Sequence, residues 1–202
     1  VIRPSVGFAS ARLLEQAGCT VHVPAQSCCG QPNWNNGDRA GAQDLARTMI
    51  RAMEGFDYVV VPSGSCAATV IKDYPAILLG DPMEEAAHDS CSGLRSLGIK
   101  TQPRALLARV EGLAVTEMGE PEICCGFGGT FCVKYPDISD KMVSNKAGDI
   151  AGTGTDLVLA GDLGCLMNMA GKLSREGRAV GARHVVEVLA GDTDTPPIGE
   201  AS

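Results

Sequence analysis

At 202 residues the chain can bury the core of one large domain or two small ones, and a hydrophobic content of 45% marks it as globular. A net charge of −7 with no basic cluster argues against a nucleic-acid partner, and no apolar run approaches the roughly 20 residues that span a bilayer, so no transmembrane segment is expected. Nine cysteines, an odd count that includes two adjacent pairs, and a start at Val1-Ile2-Arg3-Pro4 with no apolar signal-peptide core argue against a secreted disulfide framework; thiolates held in a reducing cytoplasm fit better.

Residues 5–15 predict a helix, with Ala9, Leu13 and Leu14 on one side and Gly18 as its stop. Residues 20–23 predict a short strand, and Pro24 leads into Ser27-Cys28-Cys29-Gly30. Residues 31–38 read as a polar loop. Residues 39–53 carry Ala42, Leu45, Ala46, Met49, Ile50 and Met53 at helical spacing, with Asp38 placed to cap them. Residues 58–61 predict a β-branched strand buried on both faces; Ser63-Gly64-Ser65-Cys66 then turns into a short helix ended by Pro75. Residues 76–87 form a weakly patterned connector.

His88 opens a second unit, with Cys91 close behind. Thr101 is expected to cap a helix that has Pro103 in its first turn and runs to about Val110. A strand at 114–116 precedes Cys124-Cys125-Gly126-Phe127-Gly128-Gly129. Residues 136–150 predict a helix, 156–160 a strand, and a helix runs from Cys165 to about Glu176. A last strand at 180–182 and a last helix at 184–189 follow, and the tail from Asp192 is expected to be loose.

The alternation predicts an α/β fold of two similar lobes from an internal duplication, each a small, mostly parallel sheet with flanking helices. The expected units are residues 1–87, 88–191 and a tail, 192–202. The duplication rests on sulfur spacing. Each Cys-Cys-Gly is followed by a lone cysteine, with 36 residues between Cys29 and Cys66 and 39 between Cys125 and Cys165. These residues fall after predicted strands, where ligands of parallel sheets sit.

In the second unit Cys91, Cys124, Cys125 and Cys165 supply four thiols from three loops, enough to close one iron–sulfur cluster. Thiolates also suit zinc or copper(I), but adjacent cysteines rarely grip one small tetrahedral ion, whereas a cluster presents separate iron corners. Gly126, Gly128 and Gly129 let backbone amides approach the cluster sulfur, and a helix beginning at Cys165 favours a thiolate there. Cys28, Cys29 and Cys66 form a possible second site, either three ligands of an incomplete set or the lining of an open pocket for substrate or electrons. Cys19 reads as a buried apolar filler and Cys132 as core. His22 and His184 read as structural, while His88 could reach the second site. Gly126-Phe127-Gly128-Gly129 lacks the spacing and the Lys of a nucleotide loop.

These phrases resemble the cysteine-rich CCG-domain proteins, which include the CCG-bearing component of heterodisulfide reductase, the iron–sulfur component of glycolate oxidase and the lactate-utilisation protein A family. The last is the most similar, through Ser27-Cys28-Cys29-Gly30-Gln31-Pro32, Val61-Pro62-Ser63-Gly64-Ser65-Cys66, His88-Asp89-Ser90-Cys91, Glu122-Ile123-Cys124-Cys125-Gly126-Phe127-Gly128-Gly129 and Gly161-Asp162-Leu163-Gly164-Cys165-Leu166-Met167. The resemblance implies a cytoplasmic iron–sulfur oxidoreductase component that transfers electrons in the oxidation of L-lactate, a small 2-hydroxy acid, to pyruvate. It implies a 4Fe-4S cluster on Cys91, Cys124, Cys125 and Cys165. It implies two lactate-utilisation-type partner proteins, or a flavin or ferredoxin-like redox partner. Thiol–disulfide chemistry at an iron–sulfur site and a zinc-stabilised binding module are the alternatives. The chain departs from the fuller family pattern at Ser63 and Asp162, which stand where each unit would carry a further cysteine. Copying the 32-residue gap between Cys91 and Cys124 into the first unit puts its opening cysteine before Val1, so the chain is expected to be truncated there or closed up near 76–87.

Overall fold

The structure is a computed structural model that describes residues 3–80 and 101–199. The chain divides into two compact units, one of residues 1–19 with 101–202 and one of residues 20–100.

The first of these is built on a β-α-β core. Strand β1 (Leu157–Ala160) pairs in parallel with β2 (Gly181–His184), Leu157 standing opposite Gly181 and Ala160 opposite His184. A parallel pair needs a crossover connection, and the chain between the strands includes a helix, Leu163–Arg175. Its Leu166, Met169, Ala170 and Leu173 are buried with Val143, Ala147 and Ile150 of the helix Pro136–Gly152, and with Val158 and Ala182 of the strands. The unit's other helices are Pro4–Gln16, Thr101–Leu107, Phe131–Lys134 and Val185–Leu189. In chain order over both units we label helices α1 (Pro4–Gln16), α2 (Gln31–Asn35), α3 (Arg39–Met53), α4 (Gly64–Ala68), α5 (Tyr74–Ile77), α6 (Thr101–Leu107), α7 (Phe131–Lys134), α8 (Pro136–Gly152), α9 (Leu163–Arg175) and α10 (Val185–Leu189).

Helix α1, expected from sequence in the first lobe, packs here against α10. Pro4 sits in its first turn, where a missing N–H costs nothing, and Val6 and Ala9 are buried. The wholly buried Glu187 of α10 accepts hydrogen bonds from Arg3 Nε at 2.9 Å, Ser5 Oγ at 2.7 Å and the backbone N–H of His184 at 3.0 Å. His184 is the N-cap of α10 in a reciprocal capping box with Glu187, the structural role expected of it.

Three expectations for this unit are corrected. Thr101 is itself helical in α6 rather than its cap, and the helix stops at Leu107. Residues 114–116 form no strand; Ala114, Val115 and Thr116 share the lining of a cavity of about 480 Å³ with β1, Val115 half exposed, and no strand among the described residues pairs with them. Residues 192–199 are tied down rather than loose. Ile198 N donates to Ala182 O at 2.8 Å, Arg183 Nη2 to Thr193 O at 2.8 Å and Arg3 Nη1 to Pro196 O at 2.9 Å. Helix α7 has no counterpart in the sequence pattern.

The other unit, over its described residues, is helical. Asp38 caps α3 by accepting from Gly41 N at 3.0 Å, and α3 buries Ala42, Ala46 and Met49 against Tyr74, Ile77 and Leu78. The stretch 31–38, expected as a loop, opens with the single turn of α2: Gly30 at φ 86° swings the chain round and Pro32 sits in the first turn. Pro75 does not end the helical path. A π-helical turn, Thr69–Asp73, lies between α4 and α5, and such a widened turn accommodates the missing proline N–H. The strands expected at 20–23 and 58–61 do not form, with Val23 82% and Tyr58 87% exposed. Strand-like composition gives a ladder only where a second strand pairs with it, so among the described residues a parallel sheet exists in one unit alone. No helix among these residues is long and apolar enough to cross a membrane.

Candidate functional site

The loop carrying Cys124, Cys125 and Gly126 lies over α8 and α9. Gly126 takes φ 82°, and a Cβ there would stand 2.7 Å from the Ser139 carbonyl of α8, so only glycine fits. Ser139 Oγ donates back to Gly126 O at 2.9 Å, and Asn168 Nδ2 of α9 donates to Cys125 O at 2.8 Å. These bonds turn the Cys125 side chain into the core, where it is 5% exposed, and leave Cys124 at the surface. The Gly126 N–H donates to Cys124 Sγ at 3.4 Å, the amide-to-sulfur contact expected of this glycine.

Cys165 lies in the first turn of α9. The residue that caps the helix is Asp162, whose Oδ1 accepts from Cys165 N at 3.0 Å. Asp162 thus serves as a helix cap. The thiols of Cys125 and Cys165 lie within hydrogen-bonding reach. That bond, helped by the Phe127 N–H, brings Cys125 down to about 7 against the opposing effect of burial. Cys165 is pushed up by the same bond and by burial. The shared bond thus favours ionisation at Cys125 over Cys165.

The other unit repeats this arrangement. Gly30 takes φ 86°, and its Cβ would stand 3.2 Å from Ala42 O of α3. Cys29 is 5% exposed, Cys28 is exposed, and the Cys29 thiol hydrogen-bonds that of Cys66, which with burial raises Cys29. Tyr74, 1% exposed, donates its hydroxyl to Cys29 O at 3.0 Å and reaches Met49 Sδ at 3.2 Å. No described cysteine is in a disulfide.

The structure thus brings Cys125 to Cys165 and Cys29 to Cys66, and keeps Cys124 and Cys28 outward. Cys91 and His88 lie outside the described residues. Among the described residues no three His, Cys, Asp or Glu side chains stand together as ligands of one metal ion. Cys19 is exposed rather than a buried filler. Cys132 is half-buried and donates to Gly129 O at 3.2 Å, within the sulfur loop. Ser139, Asn168 and Tyr74 carry no signal in sequence, because each acts on a loop 13 to 45 positions away.

Phe127 lies over Gly164 at the start of α9: an added Cβ would come 2.7 Å from Phe127 Cδ1 and 3.1 Å from Cζ. A Gly164→Ala chain must displace that ring and with it the sulfur loop. We expect a loss of about 1–3 kcal/mol by overpacking, read as a lower denaturant midpoint with unchanged slope.

The cysteine-rich domain family (CCG) matches this chain twice, over residues 3–71 and 86–170. Similar curated proteins include Lactate utilization protein A of Anoxybacillus flavithermus, 39% identical over 92% of this chain and 92% of its own length. Those of Geobacillus kaustophilus, 39% identical over 91% of both, and Oceanobacillus iheyensis, 37% identical over 94% of this chain and 91% of the relative, are alike. No solved structure matches. With two cysteine-rich matches on the two sulfur loops, and relatives aligned over nine-tenths of their length, the chain belongs to the cysteine-rich CCG-domain family, alongside the lactate utilization A proteins.

Proposed function

We propose that this chain is the iron–sulfur electron-transfer component of a cytoplasmic system that oxidises L-lactate to pyruvate together with partner proteins. The observation that carries the reading is the resemblance over nine-tenths of both lengths to proteins named for lactate utilisation, joined to a sulfur loop whose donors suit iron. The donor set fits a cluster in its chemistry. It offers soft sulfur, a partly ionised Cys125 beside Cys165, and a neighbouring Cys124 facing outward from the same turn. Adjacent thiols suit the separated corners of a cluster better than a single ion.

Cys124, Cys125 and Cys165, completed by Cys91, would hold a 4Fe-4S cluster, which when bound supplies one-electron transfer. The chain's own residues do the rest. Asn168 and Ser139 hold the doublet loop, Asp162 fixes the backbone of Cys165, and the Gly126 amide donates to sulfur. The shared geometry of the two units, with a left-handed glycine against a helix carbonyl and an inward second cysteine beside a lone one, supports descent from one duplicated unit. A flavin or ferredoxin-like partner would supply the remaining redox centres.

The test is anoxic isolation of the full chain with assay of iron and acid-labile sulfide. A brown protein absorbing near 400 nm and bleaching on reduction is expected, with colour and sulfide lost in Cys124→Ser. A colourless protein holding stoichiometric zinc and no sulfide overturns the reading.

A further inference from the structure

Two guanidinium groups meet at one exposed threonine of the C-terminal segment. Arg183 of β2 is only 6% exposed, yet its bonds among the described residues go to neutral oxygens. Its Nη2 donates to Thr193 O at 2.8 Å and to Thr195 O, and its Nη1 to Thr195 Oγ1 at 3.4 Å. Arg3, just before α1, gives Nε to Glu187 and Nη1 to Pro196 O, and directs Nη2 at the same Thr195 Oγ1, also at 3.4 Å. Glu187 offsets the charge of Arg3, and among the described residues no carboxylate pairs with Arg183. A buried charge without an opposite one is costly, so the site favours an anion. Both contacts to the Thr195 hydroxyl exceed the ordinary range of roughly 2.7–3.2 Å. One neutral oxygen cannot close on two cationic forks, whereas a phosphate, with three acceptor oxygens and a charge of about −1.5 to −2, can. The segment is already seated: Ile198 N donates to Ala182 O at 2.8 Å, and a Cβ on Gly181 would stand 2.9 Å from Pro197 Cγ.

We propose that Thr195 is a phosphorylation site whose phosphate is received by Arg3 and Arg183. A protein serine/threonine kinase transfers the γ-phosphoryl group of ATP to Thr195 Oγ1. The bond from Oγ1 to the γ-phosphorus forms, and the bond from that phosphorus to the β,γ-bridging oxygen breaks. ADP leaves, and the hydroxyl proton passes to a base of the kinase. Thr195 is exposed, and Pro196 after it biases it toward extended backbone, the form in which a side chain is open to such an enzyme. The product sets a phosphate between two planar forks that match its oxygens. One group then joins the residue before α1, strand β2 and the C-terminal segment, and fastens that segment along β2. The site shares no residue with either sulfur loop, so its fate is separate from that of the iron–sulfur reading.

The experiment prepares the full chain with phosphothreonine incorporated at position 195 during translation and follows amide hydrogen exchange by NMR. The Ile198 amide should exchange about tenfold more slowly than in the unmodified chain, and phosphatase treatment of the same sample should restore the unmodified rate. Arg183→Lys keeps the charge but loses the fork, and should lose most of the gain. Phosphothreonine at position 193 is the control and should protect Ile198 by less than about twofold. Phosphopeptide mapping of the chain isolated from its own cells, with phosphatase inhibitors present, should find phosphate at Thr195. The proposal is overturned if the phosphate at 195 leaves Ile198 exchange unchanged, if phosphate at 193 protects equally, or if the native chain carries none at Thr195. It is also overturned if millimolar inorganic phosphate protects the unmodified chain as strongly, which would assign the site to a diffusible anion. The phosphatase comparison decides the seating even where Arg183→Lys fails to fold.

Discussion

Replacing Cys165 with Ser is expected to cut iron and acid-labile sulfide to below about a tenth of wild type after anoxic reconstitution, since even outer-shell changes at metal sites cost about 10- to 100-fold in affinity. The substitution is close in volume, and the backbone at 165 is held independently of its side chain by Asp162 Oδ1. The far-UV dichroism should therefore be unchanged, so that lost iron reports lost ligation rather than lost fold. Hydroxyl oxygen is a harder donor than thiolate and a poorer ligand for iron–sulfur centres. Cys132→Ser is the control. That thiol donates to Gly129 O, a bond that a hydroxyl can also make, and iron should stay within about twofold of wild type. Full iron in Cys165→Ser would remove Cys165 from the ligand set.

The largest stability loss is expected at Glu187. Its carboxylate is fully buried and takes three hydrogen bonds, two of them from the segment that opens α1. Glu187→Ala leaves the Arg3 guanidinium, itself only 16% exposed, without its carboxylate. Breaking such a pair costs about 3 kcal/mol, which in a chain of this size lowers the melting temperature by roughly 10 °C. Acid should act in the same direction. Burial pushes the Glu187 carboxyl up, but the bonds from Ser5, Arg3 and His184 outweigh it and hold the group below its ordinary value. The unfolded chain therefore takes up the proton first, and this contribution is present above the ordinary carboxylate range and lost as pH falls through the folded value. His184 adds to the trend: burial lowers it, so the unfolded imidazole gains its proton below about pH 6.5 while the folded one does not. Stability should fall from about pH 6.5 downward, and Glu187→Gln should flatten the more acidic part of that decline. A Glu187→Ala chain that melts with wild type would show that α1 is held by its apolar face alone.

The helices were legible where side chains three and four apart shared one face, as Ala42, Ala46 and Met49 do in α3 and Val143, Ala147 and Ile150 do in α8. Both depend on neighbours within two turns, which sequence displays. Strands were legible only in part. Residues 157–160 and 58–61 look alike as short apolar runs, yet only the first found a partner strand. The tail was misread for a similar reason, since its anchors are the distant Arg3, Ala182 and Arg183.

At the sulfur sites, the sequence alone determined that two doublets each recur with a lone cysteine and a following glycine, because spacing and residue type are covalent facts. Which thiol of each doublet turns inward was decided by tertiary structure. The left-handed glycine must meet a helix carbonyl, at Ala42 in one unit and Ser139 in the other, and that meeting rotates Cys29 and Cys125 toward Cys66 and Cys165 while Cys28 and Cys124 face water. Burial depends on what arrives from far along the chain, and so does the pairing of one sulfur with another.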